Sequence, residues 1–145
     1  VTHEKGRARP GWPYWLVAGL GLLWNAFGCL DFTLTVTRNP AWLAPLPPAV
    51  IDWLDAAPTW TLLPWALGVW GGLAGAVLLL ARSRGAVWAF AVSLLGLAVS
   101  QAWQWSTPMP GSTGAASLVL TAAIWIIALG LLWFAWTKRR DGTLG

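Results

Sequence analysis

Four long apolar stretches, separated by short segments that collect almost all of the charge, set the pattern of this chain. They run from about Tyr14 to Val36, Thr59 to Ala81, Ala86 to Trp105 and Ala115 to Trp136. At 1.5 Å per residue, stretches of roughly 20 residues or more cover the roughly 30 Å of hydrocarbon in a bilayer. Apolar residues occur on every side of these stretches, as expected where the surrounding solvent is lipid. The pattern predicts one domain over residues 1–145: an all-α, four-span transmembrane helix bundle.

The connecting segments refine that picture. Val1 to Pro13 is a basic tail, with Pro10 and Pro13 expected to delay helix entry until about Tyr14. Tail and first span faintly resemble a lipoprotein leader ending at Gly28-Cys29. Ala26 and Phe27 fit that pattern poorly, so the span is expected to be retained. Arg38 to Pro58 is a proline-rich loop in which Ala49 to Ala56 suits a short interfacial helix. Pro48 sits at its start, Val50, Ile51, Trp53 and Leu54 supply an apolar side, and Asp52 and Asp55 face away. An irregular, proline-bent loop is the alternative. Arg82-Ser83-Arg84-Gly85 is a tight connection, so the second and third spans are expected to be antiparallel neighbours.

The second span carries no charge and contains Gly68, Gly71, Gly72 and Gly75. Glycines three and four apart make a flat strip on which another helix can lie closely, so this strip is expected to be the seam of the bundle. The fourth span is the most uniformly apolar and is expected to face lipid broadly, with Leu131 among its exposed positions.

Composition agrees with a lipid environment: 57% of the 145 residues are hydrophobic and only 10% charged, where soluble domains carry about 25% charged residues. The net charge of +4 does not point to nucleic acid, because the basic residues flank the spans. Lys5, Arg7, Arg9, Arg82, Arg84, Lys138, Arg139 and Arg140 fall on one side of the proposed topology, against Arg38 alone on the other. That bias predicts cytoplasmic termini, a cytoplasmic hairpin, and an inner (plasma) membrane location if the cell is bacterial. The 14 tryptophans cluster near span ends, as in an interfacial aromatic belt.

Candidate chemistry is sparse. Asp31 lies about 25 Å from the cytoplasmic start of its span and Gln101 about 22 Å from the start of its own. Together with Gln104, Trp60 and Trp65, and with the deeper Asn25, they define a candidate outward-facing pocket for a polar, ring-shaped solute. The alternative is structural: Asp31 reaches water or pairs with Arg38, and the amides hold neighbouring helices. A single cysteine, Cys29, rules out an internal disulfide or dithiol centre. The only histidine, His3, leaves no intramembrane haem ligands, and nothing suggests a metal cluster. No cofactor is expected, and no enzyme.

The segments Trp24-Asn25-Ala26-Phe27-Gly28, Thr37-Arg38-Asn39, Pro58-Thr59-Trp60, Trp65 to Gly72 and Leu80-Ala81-Arg82-Ser83-Arg84 resemble a proteobacterial family of small four-helix inner-membrane proteins. Some members carry a loose sugar-transporter label. The resemblance spans roughly Tyr14 to Gln104 and implies a bundle, without functional residues to carry over. The expected role is an accessory or scaffold subunit packing against membrane partners or copies of itself; the alternative is a sugar-like solute binder or transporter.

Overall fold

The hairpin of the second and third apolar stretches is the centre of the fold. A computed structural model describes residues 9–145; His3 and the tail residues Glu4, Lys5 and Arg7 lie outside the described residues. The helices are α1 (Trp12–Val36), α2 (Pro40–Leu43), α3 (Pro48–Ala56), α4 (Leu62–Leu80), α5 (Gly85–Ser106) and α6 (Ala115–Arg140), with a 3-10 turn, Thr59–Thr61, leading into α4. No strand occurs among the described residues. α1, α4 with its entry turn, α5 and α6 are long and apolar enough to cross a membrane. The chain is therefore an all-α, multi-pass membrane protein of four spans.

Helix ends follow local chemistry. α1 begins at Trp12, not Tyr14, because Pro13 falls in the first turn, where no intrahelical N–H bond is lost. α3 opens on Pro48 for the same reason. α2 is an element the apolar pattern did not indicate. It forms because the Asn39 side chain accepts a hydrogen bond from the Trp42 N–H at 3.1 Å, with Pro40 at the first position. α6 continues beyond Trp136 through Arg140. Its apolar stretch ends there but the helix does not, since Lys and Arg are good helix formers and suit the negative C-terminal end of the dipole.

α4 and α5 make the most extensive contact, α1 packs on α4, and α6 packs on α5. The α4–α5 contact is backbone against backbone. A Cβ placed on Gly96 would lie 2.6 Å from the Pro64 carbonyl oxygen and 2.7 Å from the Gly68 nitrogen. One turn away, the Ser93 hydroxyl donates to the Gly68 carbonyl at 2.5 Å. Such a bond satisfies a polar group that lipid would leave unpaired.

The main core lies toward the hairpin end. Tyr14 and Ala18 of α1, Ala76 and Leu79 of α4, Ala86 and Phe90 of α5, and Leu131 and Ala135 of α6 meet there. The Tyr14 hydroxyl donates to the Leu79 carbonyl. Leu131 corrects an expectation, because it is buried rather than lipid-facing. At this end α6 comes against α1, and Gly21 makes room: a Cβ there would lie 3.1 Å from Leu131 Cδ2. The span of α6 is still the least enclosed of the four.

Residues 141–145 fold back under the bundle. Gly142, at φ +84°, takes a left-handed conformation that costs glycine little and turns the chain. The Thr143 and Leu144 N–H groups donate to the Lys138 carbonyl at 3.0 and 3.1 Å, and the Gly145 N–H donates to the Arg82 carbonyl at 2.8 Å. In return the Arg84 N–H donates to the Gly145 carbonyl at 3.1 Å, and Arg82 Nε donates to the Thr143 carbonyl at 3.2 Å. Leu144 is 1% exposed and joins the core.

The bonds of Asp141 make this latch an expected pH-sensitive element. Burial raises the Asp141 carboxyl, but the Thr143 hydroxyl, the Thr143 N–H and Lys138 together outweigh it and hold the group below its ordinary value. A depressed folded value means that the stabilisation is present above the ordinary carboxylate range and lost as pH falls through the folded value. Acidification below that range should therefore reduce hydrogen-exchange protection of the Leu144 and Gly145 amides while α4 and α5 stay protected. Asp141→Asn should remove that pH dependence. A latch equally sensitive to acid in the variant would contradict it.

Candidate functional site

Asn25, Cys29 and Ser93 bond to backbone carbonyls at membrane depth, while the Ser100 hydroxyl is buried without a hydrogen-bond partner. Asn25 Nδ2 donates to the Gly21 carbonyl at 2.8 Å, and its amide oxygen faces Gly72, where a Cβ would lie 2.9 Å from Asn25 Cγ. Cys29 is buried, and its thiol donates to the Val69 carbonyl at 3.2 Å. Gly75 receives the Phe90 ring, which a Cβ would meet at 2.7 Å, and Gly71 lies against the Ser93 backbone at 3.2 Å. Gly68 has an ordinary contact, 3.6 Å to the Leu97 nitrogen. The strip thus serves α5 through all four glycines and α1 through Gly72.

At the far end the structure gives Asp31, Gln101, Trp60 and Trp65 separate partners and leaves Gln104 exposed. Asp31 Oδ1 accepts from the Trp42 indole at 3.0 Å and from the Thr35 hydroxyl at 3.4 Å. The expected alternative partner, Arg38, instead pairs with Asp55 at 2.8 Å. The reason is local: α2 places Trp42 over Asp31, while α3 carries Asp55 to Arg38. Gln101 accepts from the Trp125 indole of α6 at 3.3 Å. Trp65 meets Phe32 edge-on, with centroids 4.9 Å apart. Trp60 and Gln104 are exposed, and Trp60 meets Trp103 edge-on at 6.5 Å. Asp31 and Gln101 therefore belong to separate contacts, on α1–α2 and α5–α6.

These contacts make Asp31 a receptor for an indole N–H. Asp31→Asn should be mild, changing stability by about 1 kcal/mol or less, because an amide oxygen can still accept from Trp42. Asp31→Leu should cost more, since Trp42 then loses its acceptor. Thermal unfolding of the two variants checks the order, and an equal loss in both would contradict it.

Sequence reasoning missed the recess that does form at this end. Trp53, Ala56, Ala57, Pro58, Trp103 and Thr107 line an open recess of about 250 Å³. Trp53 and Trp103 stand 4.9 Å apart by centroid with planes tilted 40°. The Trp53 indole N–H donates to the Thr107 carbonyl at 2.9 Å. The signal that could have found it is the repeated pattern of a tryptophan four residues before an X-Pro pair, Trp53…Ala57-Pro58 and Trp103…Thr107-Pro108. Among the described residues no group of three or more His, Cys, Asp or Glu could hold a metal ion. No protein-family model, curated protein or solved structure matches the chain.

Proposed function

We propose that the chain is a non-enzymatic subunit of a bacterial inner membrane that packs, through the outward face of α1, against another membrane protein or a second copy of itself. The observation that carries this reading is the exposed row Leu16, Leu20, Leu23, Phe27 and Leu30. Its spacing alternates four and three, the repeat by which one helix seats along another. Shorter rows of the same spacing lie on α5 (Trp88, Val92, Leu95, Val99) and α6 (Ile126, Leu129, Trp133, Trp136), so it is the length of the α1 row that favours it, and membrane bundles use the same crossing geometry as coiled coils. The interior supports the reading too, because Asn25, Cys29 and Ser93 bind helix carbonyls and form no polar path across the bundle.

The flanking charge supports cytoplasmic termini, and the family resemblance noted above supports the inner membrane. Cysteines introduced at Asp52 and Ser112 should then label from outside, and one at Ser83 only after permeabilisation. The subunit reading is tested by native mass spectrometry of the protein released gently from its own membrane. A stoichiometric second polypeptide, or a second copy, supports it. A monomer at every detergent concentration, with the Leu23→Asn variant unchanged in membrane assembly, would overturn it.

A further inference from the structure

The exposed row on α1 is apolar throughout, but the one on α6 ends in a cation. Ile126, Leu129, Trp133 and Trp136 are exposed, and the same spacing brings the exposed Arg140 to the next place. Ile126 stands at the middle of the apolar stretch from Ala115 to Trp136. From Ile126 to Trp136 the row runs about 15 Å at 1.5 Å per residue, half of a hydrocarbon core of about 30 Å. It therefore covers one leaflet, the reach of one acyl chain, and puts Arg140 at headgroup level. Leu129, Leu132, Trp133 and Trp136 line an open groove of about 520 Å³ on this face.

The charge at the end of the groove is positive and available. Arg139 and Arg140 follow Trp136 by three and four residues, so they flank the line of the row. Arg140 Cζ stands over the Trp136 ring, 4.6 Å from its centroid. Such stacking holds a guanidinium in place and leaves N–H donors for an anion. Neither arginine pairs with a carboxylate among the described residues. The neighbouring cations are engaged elsewhere: Lys138 pairs with Asp141 at 3.5 Å, and Arg82 and Arg84 donate to the Thr143 and Leu144 carbonyls. Asp141 is the one carboxylate side chain at this end of the described residues. The negative end of the α6 dipole offsets only about half a charge, so a positive excess remains.

We propose that this face of α6 binds a phospholipid of net negative charge, with its phosphate on Arg139 and Arg140 and an acyl chain along the row. An apolar groove one leaflet long that ends in two guanidiniums is complementary to a hydrocarbon chain ending in a phosphate, which arginine binds through paired hydrogen bonds. A zwitterionic headgroup carries its own ammonium beside the phosphate, and that charge opposes the arginines. The site is independent of the partner surface on α1.

The test is native mass spectrometry of the purified protein, delipidated in detergent and titrated with phosphatidylglycerol or with phosphatidylcholine of the same chains. The first phosphatidylglycerol should bind at least about tenfold more tightly, since each arginine is worth about fivefold. Arg140→Gln should remove about fivefold of that preference. Lys138→Gln, an equal loss of charge at a cation held by Asp141, should leave it intact. Trp136→Leu keeps the groove apolar but releases Arg140, and should weaken phosphatidylglycerol about threefold. Trp136 and Arg140 are exposed, so thermal unfolding of their variants should match the wild type. In native membranes a photoreactive side chain at Trp133 should form adducts with anionic lipid. Equal affinity for the two lipids, equal loss from Lys138→Gln and Arg140→Gln, or a protein adduct at Trp133 would overturn the proposal.

Discussion

Gly96→Leu should unseat α4 from α5 and leave little folded protein. The added Cβ alone would fall 2.6 Å from the Pro64 carbonyl and 2.7 Å from the Gly68 nitrogen. Both are backbone atoms, so no side chain can swing aside and the helices must separate. Overpacking of a tight contact costs about 1–3 kcal/mol and occasionally more, and the upper end is expected here. Separation would also break the Ser93–Gly68 hydrogen bond and leave both groups unpaired in lipid. Against a total stability of about 5–15 kcal/mol, that is a large share. Thermal unfolding is the readout, and Cys29 adds a second: it is the single cysteine and buried, so its alkylation rate reports whether the loss spreads to the α1–α4 contact. The control is Gly130→Ala on α6, where a Cβ meets nothing within 4 Å. That change should be neutral or slightly stabilising, as alanine favours helix over glycine by about 1 kcal/mol. Equal thermal stability of Gly96→Leu and the wild type would show that α4 and α5 do not meet at this glycine.

Leu131→Ala should be the second large loss, about 2–5 kcal/mol for a buried leucine truncated to alanine. Leu131 is 7% exposed while its near neighbour Leu129 is 51% exposed, so Leu129→Ala should change stability by only about 0.5 kcal/mol. The contact with Gly21 adds a sharper test. Gly21→Ala places a methyl 3.1 Å from Leu131 Cδ2, which crowds the wild-type site but occupies space vacated by Leu131→Ala. The two changes should therefore be less harmful together than their separate losses imply, a coupling seen only between residues in contact. Additive losses would mean that α6 does not close against α1 at this level.

The spans, the tight hairpin, the glycine-lined α4 and the short helix opening on Pro48 were all legible in the sequence. Each rests on a local rule, hydropathy over about 20 residues or proline at a helix start, that needs no knowledge of neighbours. Leu131 was not legible. Its burial depends on Gly21, far away in sequence, and a uniformly apolar helix gives no sign of which face is covered. Gly96 was missed for a related reason, although Ser93, Gly96 and Ser100 form a small-residue row on α5 that matches the glycines of α4. The latch at residues 141–145 resembled a plain tail, because its bonds run through backbone groups that every residue has.

The candidate site shows the same division. Depth counting placed Asp31 and Gln101 in one layer, but depth says nothing about position around the bundle. α2 gives Asp31 an indole partner, and α6 gives Gln101 another. The recess at Trp53 and Trp103 arises from two helices that end in the same way at the same level, a pairing that only the fold brings together.

The subunit reading is tested most directly by placing a photoreactive side chain at Leu20, Leu23 or Phe27, and at Leu95 on the exposed face of α5, in native membranes. The account predicts one protein adduct of discrete mass from all three α1 positions and lipid adducts alone from Leu95. Lipid adducts alone from α1, or the same protein adduct from Leu95, would contradict it.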